Sequence, residues 1–366
     1  MFRVIFHHPL PLNPDATSAS GIRPLKMLAA FRAAGCEVDV IAGYSAERRA
    51  AIKTVKAKIR GGVKYAFVYS ESSTMPTVLT DPHHLPLHPL LDFGFFRFCK
   101  KKNIPIGLFY RDIYWLFENY GKGLNPLKTA VAKACYRFDL LNYKRYLTKL
   151  YLPSLEMGRY VPTVPPGRFS ALPPAHEMGQ ASRKTSAVQH TDKPLSIFYV
   201  GGMSDHYQMH QLFRVVSRRS DVELTLCTRA AEWEAVRDEY PPLTANIRVV
   251  HESGDAMQAR LAATDVVSIF VQPQEYWEFA APVKLYEYLG HGKPIIASEG
   301  TLAGRFVADN GIGWAIPYRE DALDTLLDTL FSDPQALDAT KRHMTSVARC
   351  HTWQVRVEHV IKDLTL

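Results

Sequence analysis

The sequence predicts an α/β protein built from two doubly wound, parallel-sheet (Rossmann-like) domains. Three observations carry that expectation. Short apolar runs alternate with helical stretches along the chain, as buried parallel strands and their crossover helices do. A loose polar segment near the middle splits the alternation into two similar halves. With 366 residues, 47% of them hydrophobic, the chain has material for two cores of ordinary size.

The first half opens with FRVIFHH, a short buried-strand run. A Pro/Asn/Ser/Gly-rich loop, PLPLNPDATSASG, leads to the helical stretch IRPLKMLAAFRAAG, which stops at Gly35. CEVDVIAG is the next strand, SAERRAAIKTVKAKIRGG a charged helix and YAFVYSES a strand. A long loop and a helix then precede the strand IPIGLFYRD. From about Ser170 to Lys193, paired prolines and Ser/Thr/Gln enrichment mark an inter-domain linker. Strands resume at LSIFYVGG, VELTLCTR, IRVVHESG and VVSIFVQ, separated by the helices DHYQMHQLFRVVSRR, AEWEAVRDEY and DAMQARLAATD. APVKLYEYLGHGKPIIAS supplies one more helix and strand, and TWQVRVEHVIKDL a last amphipathic helix. The predicted division is therefore a domain over 1–170, a linker over 171–194, a domain over 195–348 and a terminal helix over 349–366. Sheets of this kind bind ligands at the carboxyl ends of their strands, which for two facing domains means a central cleft.

Charge is unevenly spread. Residues 1–185 hold 27 Lys+Arg against 12 Asp+Glu, whereas 186–366 hold 17 against 24. One half is thus expected to meet an anionic ligand or surface. Most of the surplus lies in ERRAAIKTVKAKIR, FFRFCKKKN and KTAVAKACYRFDLLNYKRYLTKLYL. The last interleaves Lys/Arg with Tyr, Phe and Leu as an interfacial helix would; its plainer reading is a solvated basic face with the aromatics in the core. No nucleic-acid-binding motif accompanies it, so nucleic acid is not an expected partner. No apolar run is long enough to predict a transmembrane helix, and the first residues are interrupted by His and Pro too soon for a signal peptide. Five scattered cysteines with no C-x-x-C pair fit a reducing cytoplasm.

The most informative stretch is APVKLYEYLGHGKPIIAS, residues 281–298. Pro282 suits a first helical position, and Leu285 and Leu289 would face the sheet. Lys284 and Glu287, three apart, share a face with Tyr288. A lysine beside a helix N-terminus suits a diphosphate, and a carboxylate one turn on suits the vicinal hydroxyls of a ribose. The bland alternative is a surface ion pair worth a few tenths of a kcal/mol. No G-x-G-x-x-G follows a strand, and GHGKP is not a P-loop.

This segment resembles the donor site of GT-B glycosyltransferases, especially glycosyltransferase family four, where P-x-K-hydrophobic-x-E-Y-hydrophobic-x-x-G-K-P is frequent. The resemblance extends to FYVGG at Phe198–Gly202, similar to the family's glycine loop, and to the closing helix around Trp353, which in that fold crosses back to the first domain. It implies GT-B architecture, ribose binding by Glu287 and diphosphate binding near Lys284, with no cofactor and no bound metal. The chain departs from the pattern at Phe279, where many members carry a second glutamate and here Glu278 stands alongside. It also offers His206 and His210 where basic residues usually follow the glycine loop.

Other strand ends supply the remaining candidates. Gly201 and Gly202 would let backbone approach the donor, with Tyr288, Thr228, Arg229 and His251 around it. In the first half Asp112 is the leading general base, with Glu71 as the alternative; the plainer reading of Asp112 is a structural pair with Arg111. Arg111, Gly21, Arg23 and His8 are expected on the acceptor or phosphate side. His83, His84 and His88 lack a carboxylate trio and are not read as a metal site.

The expected function is transfer of a sugar from a nucleotide-diphosphate donor to a hydroxyl of a saccharide or lipid-diphosphate-linked saccharide. The N-terminal domain would take the acceptor side and the C-terminal domain the donor. The expected setting is surface polysaccharide synthesis in the cytoplasm, at the inner face of a membrane. Two rivals stay open: a nucleotide-sugar 2-epimerase on the same fold, and a non-catalytic sugar-nucleotide-binding subunit.

Overall fold

The computed structural model describes residues 2–16, 18–118, 120–123, 125–177, 193–203 and 207–366. The chain forms two compact units, Met1–Pro173 with Trp353–Leu366, and Pro174–Thr352. Most of the linker expected over 171–194 lies outside the described residues, as does His206.

The first unit runs β1 (Arg3–His8), α1 (Ala19–Ala33), β2 (Glu37–Ala42), α2 (Ser45–Arg60), β3 (Phe67–Glu71), α3 (Leu91–Lys101), β4 (Ile106–Phe109), α4 (Pro126–Tyr146), β5 (Lys149–Leu152) and β6 (Phe169–Ala171). The second runs β7 (Leu195–Val200), α5 (His210–Ser217), β8 (Val222–Cys227), α6 (Ala230–Val236), β9 (Ile247–Val250), α7 (Gly254–Ala263) and β10 (Val266–Ile269). It continues through α8 (Val283–Gly290), β11 (Ile295–Ser298), α9 (Leu302–Asn310), β12 (Gly313–Ile316), α10 (Glu320–Ser332) and α11 (Pro334–Arg349). A last helix, α12 (Trp353–Thr365), belongs to the first unit.

Each unit holds one six-stranded sheet, in the orders β2-β1-β3-β4-β5-β6 and β12-β11-β10-β7-β8-β9. Every strand pair is parallel. In the first sheet Phe6 lies opposite both Val40 and Tyr69, so the central strand is flanked on both edges. Right-handed crossovers place α1 on one face and α2, α3 and α4 on the other. Accordingly α2 packs on α3 and α3 on α4, while α12 packs beside α1 over β3 and β4. Both faces being covered explains why β3 and β10 are buried at every residue and show no alternation.

Local chemistry sets the boundaries. Ser18 caps α1 by accepting from Gly21 N, and Asn125 caps α4 by accepting from Leu127 N at 2.8 Å, with Pro126 first in the helix. Three expectations are corrected. The basic stretch 128–152 is not one helix: α4 ends at Tyr146 and Lys149–Leu152 is strand β5. Pro282 is the N-cap of α8, not its first residue, with extended backbone at φ −70° and ψ 136°. The expected helix over 205–219 is formed only from His210 to Ser217 among the described residues.

Candidate functional site

In the second sheet the strand order reverses between β7 and β10, so the loops leaving their carboxyl ends diverge and leave a crevice there. The glycine loop follows β7. The segment after β10 passes through a 3-10 turn at Glu275–Glu278 and enters α8. Two tyrosines pin the glycine loop. The Tyr288 hydroxyl accepts from Val200 N at 2.9 Å, and the Tyr199 hydroxyl donates to Gly202 O at 2.7 Å. Gly201 sits at φ +146° with its N–H on Cys227 O, a backbone state that suits glycine.

Lys284, in the first turn of α8, lies on this loop. Its Nζ donates to the Tyr199 hydroxyl at 2.7 Å and stands 3.9 Å and 4.1 Å from the ring centroids of Tyr199 and Tyr207. A Cβ at Gly201 would collide with that Nζ, so the glycine is what admits the lysine. Burial pulls the Lys284 ammonium down to about 7, although Glu287 and Glu232 both favour its charge. Glu287 follows one turn later, partly buried. Burial pushes its carboxyl up, with Lys284 acting the other way. Among the described residues, no side chain or backbone N–H donates to the Glu287 carboxylate within hydrogen-bond distance. Glu232, on α6, closes the other flank of the loop: it accepts from Met203 N at 3.1 Å, and a Cβ at Gly202 would lie 3.2 Å from it.

Around this centre Thr228 is buried with an unpartnered Oγ1, and its carbonyl meets His251 Nδ1 at 2.8 Å. Arg229 is exposed and paired with Glu232. Lys293, the lysine of GHGKP, instead donates to Ala262 O and Thr264 O, both at 2.7 Å, and so ties down the end of α7. Phe279 is buried against Tyr276, with ring centroids 5.3 Å apart.

In the first sheet the order reverses between β1 and β3, and His8 and Glu71 end those strands. Glu71 is 0% exposed. It accepts from Arg23 Nε at 3.1 Å, Tyr69 Oη at 2.8 Å and Arg111 Nη2 at 3.3 Å. Arg23 also donates to the carbonyls of Leu172 and Pro173 and lies 3.5 Å from the Phe109 ring centroid. His8 is buried, with Nδ1 at 3.1 Å from Glu71 O, and desolvation pulls it down to about 3, so it is neutral. Asp112 Oδ1 accepts from Ile113 N at 2.7 Å and Tyr114 N at 3.0 Å, capping a short 3-10 turn. Ser70, His7 and Asp92 form a hydrogen-bonded chain that imitates a nucleophile–base–acid relay. All three are buried and Arg48 grips both Asp92 oxygens, so the chain is structural. Among the described residues no group of three or more His, Cys, Asp or Glu could hold a metal ion. No described helix is long and apolar enough to cross a membrane.

No protein-family model matches the sequence, and no curated protein matches it by sequence. Solved structures match it over its length. HepE from Anabaena, crystallised with UDP, is 12% identical with a TM-score of 0.68, covering 99% of both chains. Sucrose-phosphate synthase from Thermosynechococcus elongatus is 13% identical with a TM-score of 0.67, covering 98% of both. WaaG, a glycosyltransferase involved in lipopolysaccharide biosynthesis, is 14% identical with a TM-score of 0.60, covering 99% of both. The chain has the GT-B fold.

On this GT-B scaffold the expected residues separate into three groups. Lys284, Gly201 and Gly202 meet at one point, with Glu287 one turn on and Thr228, Arg229 and His251 at the neighbouring strand ends. Tyr288 is corrected from a ligand-facing residue to one that holds the loop from behind, because it is 0% exposed and its hydroxyl is committed to Val200. Glu71 is corrected from a possible base to a buried ion-pair acceptor, because a base must reach its substrate and this carboxylate is enclosed by three donors. Arg23 and His8 are likewise buried, Gly21 lies in the first turn of α1, and Arg111 pairs with Glu71. Sequence reasoning missed Tyr199, Tyr207 and Glu232. The first is hidden inside an apolar strand run, and Glu232 carries only the weak signal of an acid in a first helical turn.

Proposed function

We propose that this GT-B chain is a glycosyltransferase that uses a nucleoside-diphosphate sugar. The observation that carries the reading is Lys284 seated on the Gly201–Gly202 loop at the switch point of the second sheet, with the unpartnered Glu287 carboxylate one turn away. The structures of HepE with UDP, with UDP and glucose, and with UDP-glucose support a donor of that class. In this reading Glu287 accepts from the ribose hydroxyls. Lys284 and the first N–H groups of α8 take the diphosphate, so that its leaving charge needs no metal.

The reaction forms a bond from an acceptor hydroxyl to the anomeric carbon and breaks that carbon's bond to the diphosphate, which departs as nucleoside diphosphate. The hydroxyl proton goes to Asp112 if configuration inverts, or to the leaving phosphate if it is retained. Two backbone N–H donors on Oδ1 orient Asp112 for the first course. The acceptor we propose is a saccharide or lipid-diphosphate-linked saccharide, made into surface polysaccharide at the cytoplasmic face of a membrane. The likeness to WaaG supports that setting.

A thermal-shift panel of nucleotides and nucleotide sugars tests the donor. One diphosphate series should raise the melting temperature, by an amount equivalent to roughly 2.7 kcal/mol at 100 times the dissociation constant. Glu287→Ala should weaken that ligand about tenfold or more. A flat panel would refute the reading, and donor conversion without acceptor would make the chain an epimerase.

A further inference from the structure

The Gly202–Met203 peptide is held at both ends. Its carbonyl accepts from the Tyr199 hydroxyl at 2.7 Å, and that hydroxyl accepts in turn from Lys284 Nζ at 2.7 Å. Its N–H, on Met203, donates to Glu232 Oε2 at 3.1 Å. The other Glu232 oxygen is paired with Arg229 Nη1. One carboxylate therefore stands between a loop N–H and a guanidinium, with an ammonium at the far end of the same peptide.

Those three groups are what an anion seat is made of: a backbone donor beside glycine, a planar fork and a nearby cation. Gly202 keeps room for the anion. Its φ is not positive, so the backbone there does not call for glycine, whereas a Cβ would come within 3.2 Å of Glu232 Oε2. Glu232 fills that room from the first turn of α6.

The carboxylate is only lightly held. Its side chain is 27% exposed and that of Arg229 78%, and an ion pair so open to water contributes little. Met203 N and Arg229 are its hydrogen-bond partners among the described residues. Glu71, by contrast, is fully enclosed and takes three donors. A diphosphate held by Lys284 and the glycine loop could not share the seat with Glu232, because two negative groups would meet over one N–H.

We propose that Glu232 is a placeholder for the donor phosphate. The incoming diphosphate takes the Met203 N–H, the Glu232 carboxylate turns out to water, and Arg229 passes from the carboxylate to the phosphate. This exchange rests on the donor assignment proposed above and adds to it a side chain that opposes binding until it is displaced.

Titration calorimetry with UDP, ADP, GDP and inorganic pyrophosphate tests the exchange, with uridine as the phosphate-free control. A pH of about 6 keeps the charge of Lys284 out of the comparison. Glu232→Ala frees the N–H and the guanidinium and should tighten diphosphate binding about tenfold, the weight of one charge-assisted hydrogen bond. Glu232→Gln keeps an acceptor for Met203 N but drops the charge, so it should tighten binding less than alanine does. Arg229→Gln should cost more affinity in the Glu232→Ala background than in the unaltered chain, because the guanidinium then has no partner to leave. Uridine should respond to none of these changes. A carboxylate that merely braces the loop gives the reverse order, with alanine weakening the diphosphate and glutamine restoring it, and that order overturns the proposal. An alanine variant that binds like the unaltered chain overturns it too, and in both cases the donor assignment stands. If no diphosphate binds either the unaltered chain or Glu232→Ala, the donor assignment falls and the placeholder with it.

Discussion

At the scale of single residues, Lys284 makes the sharpest demand on solution behaviour. Its ammonium titrates at about 7 in the free chain because burial outweighs the two nearby carboxylates. A diphosphate needs it charged. Above pH 7 the free chain has shed the proton and must regain it on binding, so affinity for a nucleotide sugar should fall as pH rises, by up to tenfold per unit. Below pH 7 the lysine is already charged and this dependence should vanish. Titration calorimetry from pH 6 to 9 reads it, and Lys284→Met should flatten the profile. Folding stability runs the other way over that window. The unfolded chain keeps the lysine protonated up to its ordinary 10.5, so stability should rise with pH from 7 toward 10.5. The two carboxylates proposed as bases also part company. Glu71→Gln leaves Arg23 and Arg111 buried without their common anion and should cost about 3–5 kcal/mol in denaturant unfolding. Asp112→Asn keeps an acceptor for both backbone N–H groups, and an inverting transferase should lose turnover, read in a transfer assay. The sequence could place both acids at strand ends. It could not say which was enclosed, because the enclosing arginines and tyrosine come from α1, β3 and the loop after β4.

At the scale of elements, the glycine loop and α8 are one device, and their coupling can be tested. Gly201→Ala forces a Cβ into a positive-φ position and against Lys284 Nζ. It should lower stability by about 1–3 kcal/mol and weaken donor binding along with it, both seen in a melt with and without ligand. Gly202→Ala meets only Glu232 at 3.2 Å, without a positive φ, and should be the milder change. The segment APVKLYEYLG was legible because its period, its proline and its charge spacing agree on one short helix. Its partners were not. Tyr199 approaches Lys284 across 85 residues, and Tyr288 reaches Val200 across 88, pairings that no local period encodes. The stretch after Asn125 was misread for the converse reason. Lys/Arg–aromatic interleaving runs on through KLYL, but the helix stops at Leu147, whose backbone turns extended at ψ 145° so that β5 can pair with β4. The helical pattern and the strand pattern share residues there, and only the sheet decides between them.

At the scale of the whole molecule, alternation and the break in composition were enough to predict two parallel sheets, because both faces of each sheet are covered and the strands stay apolar throughout. What alternation cannot encode is strand order, since every crossover reads alike in sequence, and order is what puts β7 beside β10 and creates the crevice between them. The last helix shows the same limit. α12 follows α11 directly in sequence, yet it completes the first unit. Trp353, Val357, Val360 and Leu364 are buried, Arg356 Nε donates to Pro173 O at 3.1 Å, and a side chain at Gly107 on β4 would strike Leu364. Removing residues 353–366 therefore uncovers one face of the first sheet and leaves the second sheet whole. Hydrogen exchange on that truncation should show protection lost in β3, β4 and α1 but kept in β7, β8 and β10. Nucleotide should still raise the melting transition of the second unit. Equal loss of protection in both sheets would mean that the two units fold as one cooperative body.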